Sequence, residues 1–154
     1  MAVGGITLSH LLFSLLHFIQ FALAITVCAL YGINLDHARK ANAHADGKWI
    51  YAEVVAGLSA LTTLLYCIPY VLRFALVWAW NLVLFILWIA LFGIFARIYI
   101  NEDAGGNSDI QRMKNAVWVV LASAILWLIG CLAHFVYWWG HRDRRSRFTS
   151  RARI

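Results

Sequence analysis

Hydrophobic positions run almost unbroken through four segments of this chain: Ile6 to Tyr31, about Ile50 to Leu72, about Phe74 to Ile100, and Ala116 to Trp139. The first holds no charged residue, the second is interrupted by Glu53 near its start and Pro69 near its end, and the third carries Arg97 at its far end. A helix needs about 20 residues to cross a hydrocarbon core of roughly 30 Å, so each run predicts a spanning helix. The roughly ten-residue alternation of polarity that marks membrane β-strands is missing. Only helices then satisfy every backbone group inside lipid. Gly32, Ile33, Asn34 and Asp36 predict the end of the first helix, and Gly140 that of the fourth. The expected fold is all-α, an integral membrane antiparallel four-helix bundle occupying 1–140, followed by a basic tail over 141–154.

Composition agrees with this pattern. Of 154 residues, 63% are hydrophobic and 13% charged, with a single proline and a mean hydropathy of +0.74. Soluble domains lie nearer half apolar and a quarter charged. The N-terminus lacks a basic region, and its apolar run is too long for the core of a cleavable signal peptide, so the first helix is expected to remain and to direct insertion itself.

Charge predicts orientation. Arg73 in the short second connection and Arg142, Arg144, Arg145, Arg147, Arg151 and Arg153 of the tail oppose Arg39, Lys40, Lys48, Arg97, Arg112 and Lys114 in and beside the other two loops. The tail is dense and abuts the last helix, whereas both loops mix in acids, so both termini are expected in the cytoplasm. The expected location is a multi-pass position in the plasma membrane or secretory-pathway membranes. Arginines this close to a span are drawn to anionic inner-leaflet lipid by about 1 kcal/mol each. Ser146, Thr149 and Ser150 lie among them, where phosphorylation would weaken that attraction. A plain topology anchor explains the tail equally well, and Arg144-Arg145-Ser146-Arg147 also looks like an arginine-based retention signal for the endoplasmic reticulum. Nucleic acid is not an expected partner for a tail held at a membrane.

The candidate chemistry is sparse. On the first helix His10, Ser14 and His17 are spaced i, i+4, i+7, with Gln20 three residues on, a polar stripe. Asn81 and His134 are expected at a similar depth, in the inner half of the bundle. These groups read as interhelical packing contacts, with a haem or metal site at His17 and His134, or a proton relay, as the alternatives. No cofactor, bound metal or catalytic residue is expected. Glu53 and Arg97 fall at similar depth on helices joined by a very short connection, so they are expected to form an ion pair that fixes register, with a transport role for Glu53 as the alternative. The acidic loop over 101–109 lacks the spacing of an EF-hand.

Cys28, Cys67 and Cys131 all lie within predicted helices, which leaves no disulfide framework. Cys67 is a candidate for palmitoylation, against the simpler role of a small packing residue. Ala56, Gly57 and Ala60 on the second helix, and Ser123 and Gly130 on the fourth, are small enough for close helix approach. Trp49, Trp78, Trp80, Trp118, Trp138 and Trp139 lie near predicted boundaries, as an aromatic belt requires, whereas Trp88 and Trp127 fall mid-span.

The four spans, the minimal connection at Arg73, and the stretch from Trp78-Ala-Trp-Asn-Leu through Gly93, followed by Phe95-Ala-Arg-Ile-Tyr99, together resemble the MARVEL-domain membrane proteins, especially fungal ones. The resemblance covers essentially the whole chain. It implies a non-enzymatic protein of membrane apposition, vesicle traffic or lipid-domain organisation, acting through contact with sterol-rich lipid and through self-association or association with other membrane proteins. The exoplasmic loops lack the cysteines of several animal members, so loop-mediated adhesion does not carry over. An accessory subunit of a larger membrane complex, and a small transporter or redox protein using the intramembrane histidines, are the alternative functions.

Overall fold

The structure, a computed structural model, describes residues 2–3, 6–42, 44, 46–68, 76–103 and 105–149, with side chains at 8, 10–42, 44, 46–68, 76–103 and 105–140. Arg73, Pro69, the tail arginines and the three candidate phosphorylation positions Ser146, Thr149 and Ser150 therefore lie outside the described side chains. The fold is all-α. Helix α1 spans Leu8–Lys40, α2 Gly47–Tyr66, α3 Val77–Tyr99 and α4 Ser108–Thr149. All four are long and apolar enough to cross a membrane. A two-residue antiparallel pair, β1 (Ala2–Val3) with β2 (Ile6–Thr7), precedes them, so the first helix begins at Leu8 and not at Ile6.

α4 runs on past Gly140 to Thr149, into the segment expected to be a separate tail. Three other helix ends differ from expectation for local reasons. α1 runs nine residues past Tyr31, because its polar end is stabilised as helix. Lys40 pairs with Asp36 at 2.6 Å in i,i+4 spacing, and His37, Arg39 and Lys40 place positive charge at the negative end of the helix dipole. α2 stops at Tyr66, short of Leu72. The Cys67 N–H closes onto Leu64 O and the Ile68 N–H onto Leu65 O, and Pro69 removes a donor and disfavours helical backbone at the preceding residue. α4 starts at Ser108, well before Ala116, with the Asn107 side chain accepting from the Asp109 N–H at 2.9 Å. At the start of α2, Asp46 accepts from the Lys48 N–H at 3.2 Å, and that bond holds its carboxyl below the usual carboxylate range. Gly105 and Gly106 supply the left-handed backbone of the α3–α4 loop, with φ of 47° and 87°.

The helices run alternately up and down. Pairs across α1 and α4 (Gln20 with Leu126, Asn34 with Met113), across α2 and α3 (Ser59 with Trp88, Tyr66 with Asn81), and across α3 and α4 (Trp78 with Phe135) each show one residue number falling as the other rises. α1 packs closely on α2, where Ala52 and Ala56 are fully buried, and α3 packs closely on α4. Gly57, by contrast, has no neighbouring chain within van der Waals reach of a Cβ. The connection between α2 and α3, expected to be very short, runs over 67–76 and is longer than the other two, and the seam between these helices is wider. Long side chains bridge it: Tyr51 Oη donates to Leu87 O at 3.1 Å, Trp80 Nε1 to Thr62 Oγ1 at 3.1 Å, and Trp88 Nε1 to Ser59 Oγ at 2.9 Å.

The core contains Val27, Tyr31, Leu84, Trp88, Leu91, Phe95, Val120 and Trp127, so both mid-span tryptophans are packing residues. Near the loop end Tyr31, Trp49 and Phe95 form an aromatic cluster with ring centroids 4.6 to 5.6 Å apart. The outside is also apolar: Leu12, Leu15, Phe18, Leu61, Ile86, Ile125, Leu132 and Val136 are all exposed.

Burial inside the bundle and exposure on its outer face predict different mutational costs. Trp88→Ala should destabilise the bundle by about 3–5 kcal/mol through the cavity and the stranded Ser59 hydroxyl. Ile86→Ala, on the outer face of the same helix, should change stability by about 0.5 kcal/mol or less. Unfolding titrations in mixed detergent and SDS micelles measure both.

Candidate functional site

One end of the bundle, where α2 terminates and α3 begins, holds a buried cluster of polar side chains drawn from all four helices. His17 and Gln20 come from α1, Tyr66 from α2, Asn81 from α3 and His134 from α4, and all five are buried. Tyr66 Oη donates to Asn81 Oδ1 at 2.7 Å. Asn81 Nδ2 lies 3.2 Å from His134 Nδ1, which is also 2.8 Å from Gly130 O. A carbonyl only accepts, so the proton sits on His134 Nδ1 and the Asn81 amide nitrogen packs against the ring without bonding to it.

The same reasoning fixes His17. Gln20 Nε2 donates to Leu126 O at 3.1 Å, which orients the amide and turns its Oε1 towards His17 Nδ1 at 2.8 Å. Nδ1 therefore donates, and His17 Nε2 carries the lone pair. That nitrogen is buried and has no hydrogen-bond partner in the protein. Leaving a buried acceptor unmatched costs about 1–3 kcal/mol, so it is an exception in a cluster otherwise largely satisfied. Gly130 lies against the same groups: a Cβ there would be in ordinary van der Waals contact, 3.4 Å from Gln20 Nε2 and 3.7 Å from Asn81 Nδ2.

The rings are tightly grouped. His17 and His134 have centroids 5.8 Å apart, and Phe13 and Tyr66 each lie within 4.9 to 6.5 Å of both. A planar macrocycle between the two histidines would have to displace these rings. Among the described residues, no three histidine, cysteine or acidic side chains converge as a metal site.

Of the residues singled out in the sequence, His17, Gln20, Asn81 and His134 are brought together. His10 and Ser14 are not. Both are exposed and line a groove between α1 and α2: Ser14 sits about 60° around the helix from His17, and His10, on nearly the same face as His17, lies about two turns nearer the start of α1. Tyr66 was missed. Its signal was present as Ser59, Thr62, Thr63 and Tyr66, an i, i+3, i+4, i+7 pattern on α2 like the one read on α1.

The expected Glu53–Arg97 ion pair does not form. Glu53 turns to α1, where its carboxyl lies beside Cys28 and one oxygen would stand 3.3 Å from a Cβ on Gly32. Its Oε1 is buried without a partner, and Arg97 is exposed. Glu53 stands about 200° around α2 from Tyr51, which faces α3, so the rotation of the helix turns the carboxyl towards α1 and away from Arg97. The three cysteines are free, with Cys67 exposed, Cys28 half-buried and Cys131 buried.

Among the residues whose side chains are described, over 8–140, the Asp, Glu, Lys and Arg residues lie at the loop end of the bundle, with Glu53 further inside. There Arg112 bridges Asp109 at 2.8 Å and Asn34 at 3.0 Å, closing α4 onto α1. Comparison with known proteins gives no family model, no curated protein and no solved structure that matches this chain.

Two double-mutant cycles separate the pairs that exist from the one that does not. Tyr66→Phe with Asn81→Leu should show a coupling of about 0.6–1.7 kcal/mol, the range of hydrogen bonds inside membrane proteins. Glu53→Gln with Arg97→Gln should be additive to within about 0.5 kcal/mol. Both are read from unfolding titrations in mixed micelles.

Proposed function

We propose that this chain is a non-catalytic multi-pass membrane protein that organises surrounding lipid and associates with copies of itself or with other membrane proteins. The observation carrying this reading is the distribution of side chains. Leu, Ile, Val, Phe and Trp cover the outside of all four helices, hydrogen-bonding side chains gather inside, and charged residues lie towards the helix ends. Water as the surrounding solvent would make that outer surface a severe aggregation liability, whereas hydrocarbon makes it neutral. α3, with 23 residues, is about 34 Å long, which matches a bilayer core with little to spare.

In this reading the loops over 41–46 and 100–107 face away from the cytoplasm, and both termini face it, with the arginine-rich segment after Gly140 at the inner leaflet. The plasma membrane or the secretory pathway is the proposed location. The resemblance to MARVEL-domain proteins supports a role in membrane apposition, vesicle traffic or domain organisation. The buried polar cluster then serves assembly of the bundle rather than turnover. An accessory role within a larger membrane complex would use the same surfaces.

Topology is the first test. In a background with Cys28, Cys67 and Cys131 replaced by alanine, a cysteine at Asn107 should react with an impermeant maleimide on intact cells, and one added after Ile154 only after permeabilisation. The opposite pattern would sink the proposed orientation. For self-association, donor- and acceptor-labelled copies in lipid vesicles should show energy transfer that persists on dilution with lipid, where a monomeric control loses it.

A further inference from the structure

At the end of the bundle where Tyr66 closes α2, a groove of about 370 Å³ opens outward between α1 and α2. Its volume lies in the roughly 300–1,000 Å³ range of small-ligand sites. Ser14, Phe18, Leu64 and Cys67 are exposed along its rim, and His17, Thr63 and Tyr66 are buried beneath them. Among the described residues, no Asp, Glu, Lys or Arg lines it. The buried groups are already engaged at every polar atom but one. Thr63 Oγ1 donates to Ala60 O, Tyr66 Oη to Asn81, and His17 Nδ1 to Gln20, which leaves the buried lone pair on His17 Nε2.

We propose that this groove binds an uncharged lipid whose head is a hydroxyl, the hydroxyl donating to His17 Nε2 and the hydrocarbon lying along the phenylalanines and Leu64. The chemistry follows from what the site lacks and what it offers. A charged head would be desolvated with no opposite charge to meet it. An ester or ketone head brings only acceptors, and would face the histidine lone pair without a proton between them. A hydroxyl supplies the one missing donor, and its depth is suitable, because His17 is level with the last residue of α2. The proposal rests on the membrane reading above, which puts the groove's rim in lipid.

The test uses the full chain in phosphatidylcholine nanodiscs, with bound lipid counted by native mass spectrometry. Two probe pairs are compared: a diacylglycerol with its O-methyl ether, and a sterol with its O-methyl ether. Each ether keeps the hydrocarbon and the oxygen but cannot donate. The free hydroxyl should be retained about tenfold better than its ether in at least one pair, as one hydrogen bond predicts, and the pair showing the preference identifies the lipid class. His17→Phe should abolish the preference. Cys67→Trp, at the exposed rim and away from the buried cluster, should lower retention of the preferred lipid with helical content unchanged, and so keeps the test sharp if His17→Phe does not fold. Equal retention of hydroxyl and ether in both pairs, as expected where only water reaches Nε2, would overturn the proposal, as would undiminished binding in Cys67→Trp. Failure of the chain to enter nanodiscs would instead overturn the membrane reading and, with it, this proposal.

Discussion

Tyr66, Asn81 and His134 form a chain of polar contacts from α2 through α3 to α4, and His17 with Gln20 extends the cluster to α1. In a medium without water, each of these groups loses hydrogen-bonding capacity wherever it faces hydrocarbon. The arrangement that brings five polar residues from four helices together is therefore favoured over rotated or shifted alternatives. Apolar packing alone would choose among those alternatives weakly, since lipid tails are as apolar as leucine.

The wide α2–α3 seam has two consequences. Bridging it requires side chains that are both long and polar at the tip, and Tyr51, Trp80 and Trp88 meet that requirement with hydrogen bonds to Leu87 O, Thr62 and Ser59. It also leaves the opposite face of α2 to α1: Glu53, about 200° around the helix from Tyr51, lies there, where Gly32 leaves space for it. The α2–α3 connection, expected to be very short, runs over 67–76 and is longer than the other two. Here the closest pairs are α1 with α2 and α3 with α4.

The two ends of the bundle differ in kind. At the loop end, charge and aromatic surface are combined: Arg112 joins Asp109 and Asn34, and Trp49 packs on Tyr31 and Phe95. At the opposite end the described interior is neutral, with imidazole, amide and phenol groups in place of ions. An interface that holds α1 to α2 mainly through small residues and rings leaves the groove beside His17 open at that neutral end.

The sequence by itself determined four helices and their apolar character, because a run of some 20 apolar residues has few other stable forms. It also picked out His17, Gln20, Asn81 and His134, since polar residues in such runs are costly enough to be conspicuous. It did not determine helix ends: Asp36 and Asn34 read as terminators but became helix through pairing with Lys40 and contacts to α4. Nor could it separate His10 and Ser14 from His17, or find the partner of Glu53. Those outcomes depend on the rotation of each helix and on the distance between helices, which are set when side chains from separate segments compete for the same space. The unpartnered nitrogen of His17 belongs to that second class, because only the orientation of Gln20 against Leu126 decides which side of the ring is left free.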